Sequence, residues 1–331
     1  MNLIKSTILS FAVFISLFIT LQSCTKTQPD YWHNNEIDVD MRNEFHENNH
    51  EVIKQLKAYN IRELENHLAK KMVNNVATKR EAERLGNTLR TAEFVLLDEY
   101  YAINKYRDYD TITTRNKAVN NYYLRYEGFA KEMYIALFAP KTGDERSLIT
   151  LIYAKFDYGW KLCDMDVAPY MFWGKTAPQL YELAKAQFQK GQLINAKLTT
   201  DLAITAAKPS KIWEYSFNQE FRLLNSKLSY DANQQFTFPL VLNKVPTKPQ
   251  VFAIYIKPFS QGTFPIIQYL TKIPLKDKEK IIEENNRVKV AIAELMPGIN
   301  TNKKYLMYAA FNEMPKFDRS VDRYEITEKL Q

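Results

Sequence analysis

The chain has 331 residues, a formal net charge of +7, 21 Tyr and 19 Phe, but only 8 Gly and 2 Cys. That balance fits a packed globular chain and excludes collagenous, low-complexity and disulfide-stapled classes. No run of basic residues gathers the positive excess into a patch, so it suits solubility or diffuse contact with anionic lipid and offers nucleic acid no footprint.

The N-terminus reads MNLIKSTILSFAVFISLFITLQSC: Lys5, an apolar run from Ile8 to Leu21, then small and polar residues ending at Cys24. The run is too short and wrongly flanked for a stable membrane span, and its charge-then-apolar order is that of a secretory signal. Leu21-Gln22-Ser23-Cys24 resembles the lipobox of bacterial lipoproteins. The resemblance implies a signal peptide over 1–23, cleavage before Cys24, and diacylglycerol on its thiol. Thr25 is not the Asp that resembles an inner-membrane retention signal, so outer-membrane residence is expected. With Cys24 lipidated, Cys163 has no cysteine left to pair with, and the exported chain must be held by its core. Cys163 stands in WKLCDMDV, an apparent strand, and reads as a buried, inert thiol.

Residues 24–44 lack sustained periodicity and read as a lipidated tether. From Phe45 a helical pattern begins, with Phe45, Val52, Ile53, Leu56 and Tyr59 on one side. Asn60 with Glu63 three places on resembles a capping box, and Leu64, Leu68 and Met72 continue the helix. After Gly86 the pattern becomes that of strands: 93–103, 118–129, 131–139, 146–156 and 160–167, rich in β-branched and aromatic residues and broken by turns. Helices followed by an antiparallel meander predict an α+β domain over 45–172. LKAYNIRELENHLAKKMV and SLITLIYAKFDYGWKLCDMDV resemble parts of nuclear transport factor 2-like (cystatin-like) domains. That resemblance implies helices on a curved sheet forming a cone, and implies no chemistry.

Residues 177–210 resemble one tetratricopeptide repeat, with Leu180, Leu183, Ala184, Gly191, Leu193, Ala196 and Ala203 at its small and apolar positions. With a capping helix expected over 210–228, the segment 173–228 reads as a helical connector. Strands at 236–242, 250–259 and 263–273, a helix from Leu275 to Leu295 and a last strand at 303–314 predict a second α+β domain over 229–331.

Two candidate sites follow. His46-Glu47-x-x-His50 has the letters of a zinc-protease helix. A helical wheel places both histidines beside the solvent face, charged Glu44 and Glu51 depart from the protease pattern, and His33 and His67 supply no obvious third ligand. No metal and no cofactor are therefore expected. The cone could host an acid/base residue, with Asp98, Tyr100, Tyr101, Tyr123 and Tyr126 on suitable strands. A tyrosine-rich sheet is more often core than a catalytic array. The expectation is a non-enzymatic, lipid-anchored envelope protein that binds a protein or a small apolar ligand. An isomerase or hydrolase using the first domain's pocket is the alternative, and a structural subunit of an envelope complex the second.

Overall fold

The computed structural model describes residues 29–105, 108–114, 121–216, 218–316 and 319–330. Cys24 and the expected signal peptide lie outside them. Regular structure is present inside the expected tether: β1 (Asp30–His33) pairs antiparallel with β2 (Phe94–Ile103), Asp30 opposite Ile103 and His33 opposite Tyr100. The first helix, α1 (Val39–Ala58), also starts earlier than its apolar pattern, because Asp38 caps it by accepting from the amides of Asp40 and Met41. Tyr59, in the left-handed region at φ 51°, ends it, and Asn60 accepts from the Glu63 amide to open α2 (Ile61–Glu65). Next comes α3 (Val76–Leu89), where a Cβ on Gly86 would stand 2.4 Å from the Leu56 carbonyl oxygen. Glycine is what lets α1 and α3 cross this closely.

The architecture is α+β, with a curled antiparallel sheet. Between β2 and the rest of that sheet the chain makes a separate hairpin, β3 (Tyr109–Thr113) and β4 (Tyr122–Glu127). It then adds β5 (Glu132–Pro140), β6 (Arg146–Phe156), β7 (Gly159–Phe172) and the short β8 (Lys175–Thr176). The six-stranded order is β1-β2-β5-β6-β7-β8. Side chains alternate between its faces. Tyr101, Tyr134, Ala136, Phe138, Ile149 and Leu151 pack under α1 to α3, whereas Tyr100, Met133, Ile135, Leu137, Leu148 and Ile152 join a second core on the other side. Covering both faces accounts for the nearly unbroken apolar run MYIALFA.

The second core is completed by the helical segment. α4 (Ala177–Gln189) and α5 (Leu193–Ala206) form an antiparallel pair, with Gly191 at φ 72° in the turn. Leu180, Leu202, Ala203 and Ala206 pack into the core of the six-stranded sheet, while Leu193, Ile194, Ala196 and Leu198 pack into that of the C-terminal sheet. One buried helix thus contributes to both cores. The capping helix expected over 210–228 is first a strand: β9 (Trp213–Tyr215) pairs with β4 to make a three-stranded sheet, and α6 (Asn218–Gln235) follows.

The C-terminal sheet runs β10 (Leu240–Val241), β11 (Gln250–Phe259), β12 (Gly262–Leu270), β13 (Tyr305–Phe311) and β14 (Arg323–Lys329). Between β12 and β13 the chain crosses over through α7 (Lys278–Leu295), so these two strands are parallel and the others antiparallel. The strand at 303–314 is not the last. The charged tail forms β14, whose exposed and half-buried residues alternate as on an edge strand.

A polar cluster and a cleft at the sheet's far end

A register shift between Leu96 and Asp98 of β2 precedes two successive carboxylates that serve different partners. Asp98 Oδ1 lies 2.8 Å from His33 Nε2 and accepts from Asn34 Nδ2 at 3.0 Å, while Oδ2 accepts from the Tyr122 hydroxyl at 2.9 Å. Tyr122 OH is in turn 2.8 Å from Tyr100 OH. Glu99, fully buried, is held by Arg42 Nε, by His46 Nε2 at 3.0 Å and by the Tyr134 hydroxyl at 2.8 Å. Asn34, at φ 49°, also ties down the backbone between the two carboxylates: its Oδ1 accepts from the Glu99 amide at 2.9 Å.

This cluster places the histidines of the zinc-protease letters. His50 is exposed, as the helical wheel predicts, but His46 is turned onto Glu99. The wheel missed it because Arg42 and His46, one turn apart on α1, both reach a carboxylate buried beneath them. No group of three metal-ligating side chains stands among the described residues. Glu99 is the buried carboxylate that acid/base chemistry in this domain would call for, yet each oxygen faces a cationic or hydroxyl partner. Such a set ties β1, α1 and the sheet together; it does not leave a base free to take a proton.

Of the five residues proposed from sequence for the cone, only Asp98 and Tyr100 are brought together, through the Tyr122 hydroxyl. Tyr100 is in the core shared with the helical pair, Tyr101 donates to Glu132 at 2.8 Å, Tyr123 is exposed, and Tyr126 donates to Asn104 Oδ1 at 2.9 Å. Burial raises the hydroxyls of Tyr100, Tyr101 and Tyr126 above the ordinary tyrosine range. Cys163 is buried, its thiol pushed by desolvation up to about 12 and donating to the Lys161 carbonyl at 3.4 Å, which describes an inert thiol.

A cleft that no sequence pattern announced lies at the opposite end of the sheet. It holds about 580 Å³ where the 141–145 turn and Trp173 meet the β11–β12 turn and the segment before β13; Trp173, Phe264, Glu145, Gln261 and Lys303 are among its lining residues. Four polar contacts cross it. Trp173 Nε1 donates to the Thr263 carbonyl at 2.8 Å, Glu145 accepts from the Thr263 amide and hydroxyl, and Lys304 pairs with Asp144. Gly262 sits at φ 124°, and a Cβ there would stand 2.9 Å from Glu145 and 3.0 Å from Phe264. Glycine is needed for both the turn and the approach.

No protein-family model matches the chain, and no curated protein or solved structure matches it either. The site must therefore be read from its own geometry. Lys303, buried against the cleft, donates to Asn195 Oδ1 at 2.8 Å, Ile299 O at 2.8 Å and Thr301 O at 2.7 Å, with Nζ 5.7 Å from the centre of the Trp173 ring. Burial pushes its ammonium down to about 7, while the three oxygens favour the charged form. Lys303 thereby links α5 to the loops that close the cleft. Ring faces beside a few hydrogen-bonding groups suit a small ligand with an apolar body and a polar edge. Sequence patterning singled out none of these residues; the nearest local feature is Trp173-Gly174, two consecutive left-handed residues at the end of β7.

Proposed function

We propose that this protein is a lipid-anchored binding module of the cell envelope, non-enzymatic, holding a small, largely apolar ligand in the cleft between Trp173 and Phe264. The observation that carries the reading is the cleft itself: about 580 Å³, with aromatic walls and a buried amine, joined to rigid elements on both sides. The lipobox-like Leu21-Gln22-Ser23-Cys24 supports attachment through Cys24 and outer-membrane residence. The resemblances of 45–172 to nuclear transport factor 2-like domains and of 177–210 to a tetratricopeptide repeat support a binding or assembly role. The Glu99 cluster favours this reading over an enzyme, because its carboxylate is already occupied.

The test is mass spectrometry of the protein extracted from its own membranes in mild detergent, beside Gln261→Trp, which fills the mouth of the cleft with an indole from an exposed turn. A small molecule should accompany the wild type and be lost from Gln261→Trp. Its retention by the variant would remove the cleft as the site. Cys24→Ala should lose the diacylglycerol mass and leave the membrane fraction; an unmodified wild-type Cys24 would refute the anchor.

A further inference from the structure

The strand register places the two ends of the six-stranded sheet in different roles. Phe94 lies opposite Pro140 and Arg146 opposite Met171, so the cleft residues Asp144, Glu145 and Trp173 belong to one end. Asp30 lies opposite Ile103, Ile103 opposite Glu132, and Phe156 opposite Gly159, so Asp30 and the start of β1 belong to the other. Strands of this length separate the ends by roughly 30 Å.

Cys24 and Asp30 are six positions apart. A fully extended chain of that length spans about 20 Å at most. A lipid on Cys24 therefore leaves this end little freedom to leave the bilayer surface, whereas the 20-residue tether expected from sequence would have allowed the fold to turn any face toward it.

The chemistry of this end agrees. Lys70 Nζ stands 5.0 Å from the ring centre of Tyr158, and Lys71 Nζ 3.5 Å from that of Phe129. Lys105, Lys131 and Lys155 are exposed on the same end, and Tyr109 and Tyr158 are 64% and 46% exposed. Acidic groups are present too: Asp30, Asp108, Asp110, Glu127, Glu132 and Asp157, of which Glu132 pairs with Lys155 at 3.2 Å. Lysine stems and tyrosine rings in one zone match the headgroup layer, where an apolar body and a polar tip are both accommodated and cations meet phosphate.

We propose that this end, with Phe129, Tyr158, Lys70 and Lys71 foremost, rests on the phosphate headgroups of the bilayer that carries the lipid, and that the cleft is thereby held facing the aqueous side. The proposal rests on the anchoring reading above. The protein approaches the membrane end-on and presents one fixed aspect to it.

The test uses the full-length, lipidated protein reconstituted in phosphatidylethanolamine–phosphatidylglycerol vesicles containing a nitroxide-headgroup lipid. A fluorophore is placed on Tyr158→Cys or, separately, on Gln261→Cys; the native Cys163 is buried. Loss of fluorescence should be large at 158 and small at 261, and Lys70→Glu with Lys71→Glu should reduce the loss at 158. Equal loss at the two sites, or a greater loss at 261, with diacylglycerol present on Cys24, would overturn the orientation alone. Absence of the diacylglycerol would overturn the anchoring reading and this one with it.

Discussion

At the cleft end of the six-stranded sheet, Lys303 is matched inside the fold by an amide oxygen and two carbonyls, exposed Lys304 pairs with Asp144, and Trp173 and Glu145 spend their polar atoms on Thr263. At the end that carries Asp30, Lys70 and Lys71 lie over rings that remain partly open to solvent. The difference follows from what each end must do. A sheet packed on both faces has only its ends and connecting turns left for contacts with other molecules. Here one set of turns is locked to a second unit to shape a cavity, and the other keeps its charges and rings outward.

The largest expected effect tests whether the cleft end is one mechanical body. Ala203 is fully buried in the core shared by the helical pair and the six-stranded sheet. Ala203→Arg buries a charge without a partner and should cost several kcal/mol. Because α5 also supplies Leu193, Ile194 and Leu198 to the C-terminal core, both sheets should loosen together in urea, seen as a single shifted transition by fluorescence and circular dichroism. Two transitions, only one of them shifted, would split the two units.

A smaller effect distinguishes the buried amine from the exposed ones. Lys303 holds its proton only up to about 7 in the folded state, below the ordinary lysine range. Between those values the unfolded chain binds a proton that the folded chain lacks, so this site's contribution to stability should rise as pH goes from 7 toward 10, by up to about 1.4 kcal/mol per pH unit, and be flat below 7. Lys303→Met should abolish that slope in thermal unfolding measured across pH, while Lys70→Met and Lys71→Met leave it intact. The same slope in Lys303→Met and wild type would assign it elsewhere.

The smallest effect concerns the polar tie that holds α1 to β2, the strand with which β1 pairs. His50→Ala, at an exposed position, should change unfolding free energy by about 0.5 kcal/mol or less. His46→Ala removes a hydrogen bond to a buried carboxylate and should cost about 1 to 2 kcal/mol. Equal costs in urea denaturation would mean that the His46–Glu99 contact contributes nothing.

The α+β class and most strands were legible, because β-branched and aromatic residues concentrate wherever a strand is buried on one face or on both; β6 and β11 coincide with their sequence boundaries. β1 was hidden in a polar segment: DYWH is held by backbone pairing and by His33 on Asp98, which leave no apolar period to read. β9 was hidden for the opposite reason. WEY precedes a helical pattern, and its pairing partner is far away in the chain. Of the cleft, nothing was legible. Lys303 meets Asn195 more than a hundred positions away, and Thr263 meets Glu145 at a similar remove, so no local spacing encodes the cleft.

The pairing of β9 with β4 also bears on the order in which the chain can assemble. Leu124 waits for Trp213, about 90 residues later, and the core that contains both also takes Phe221. Loop closure of that span is entropically unfavourable and slow compared with hairpin formation. A chain emerging N-terminus first would form β5–β6–β7 early, then hold one apolar face of that sheet open until the helical pair and β9 arrived. During that interval the nascent protein is at its most aggregation-prone, and a holding chaperone would have most to bind.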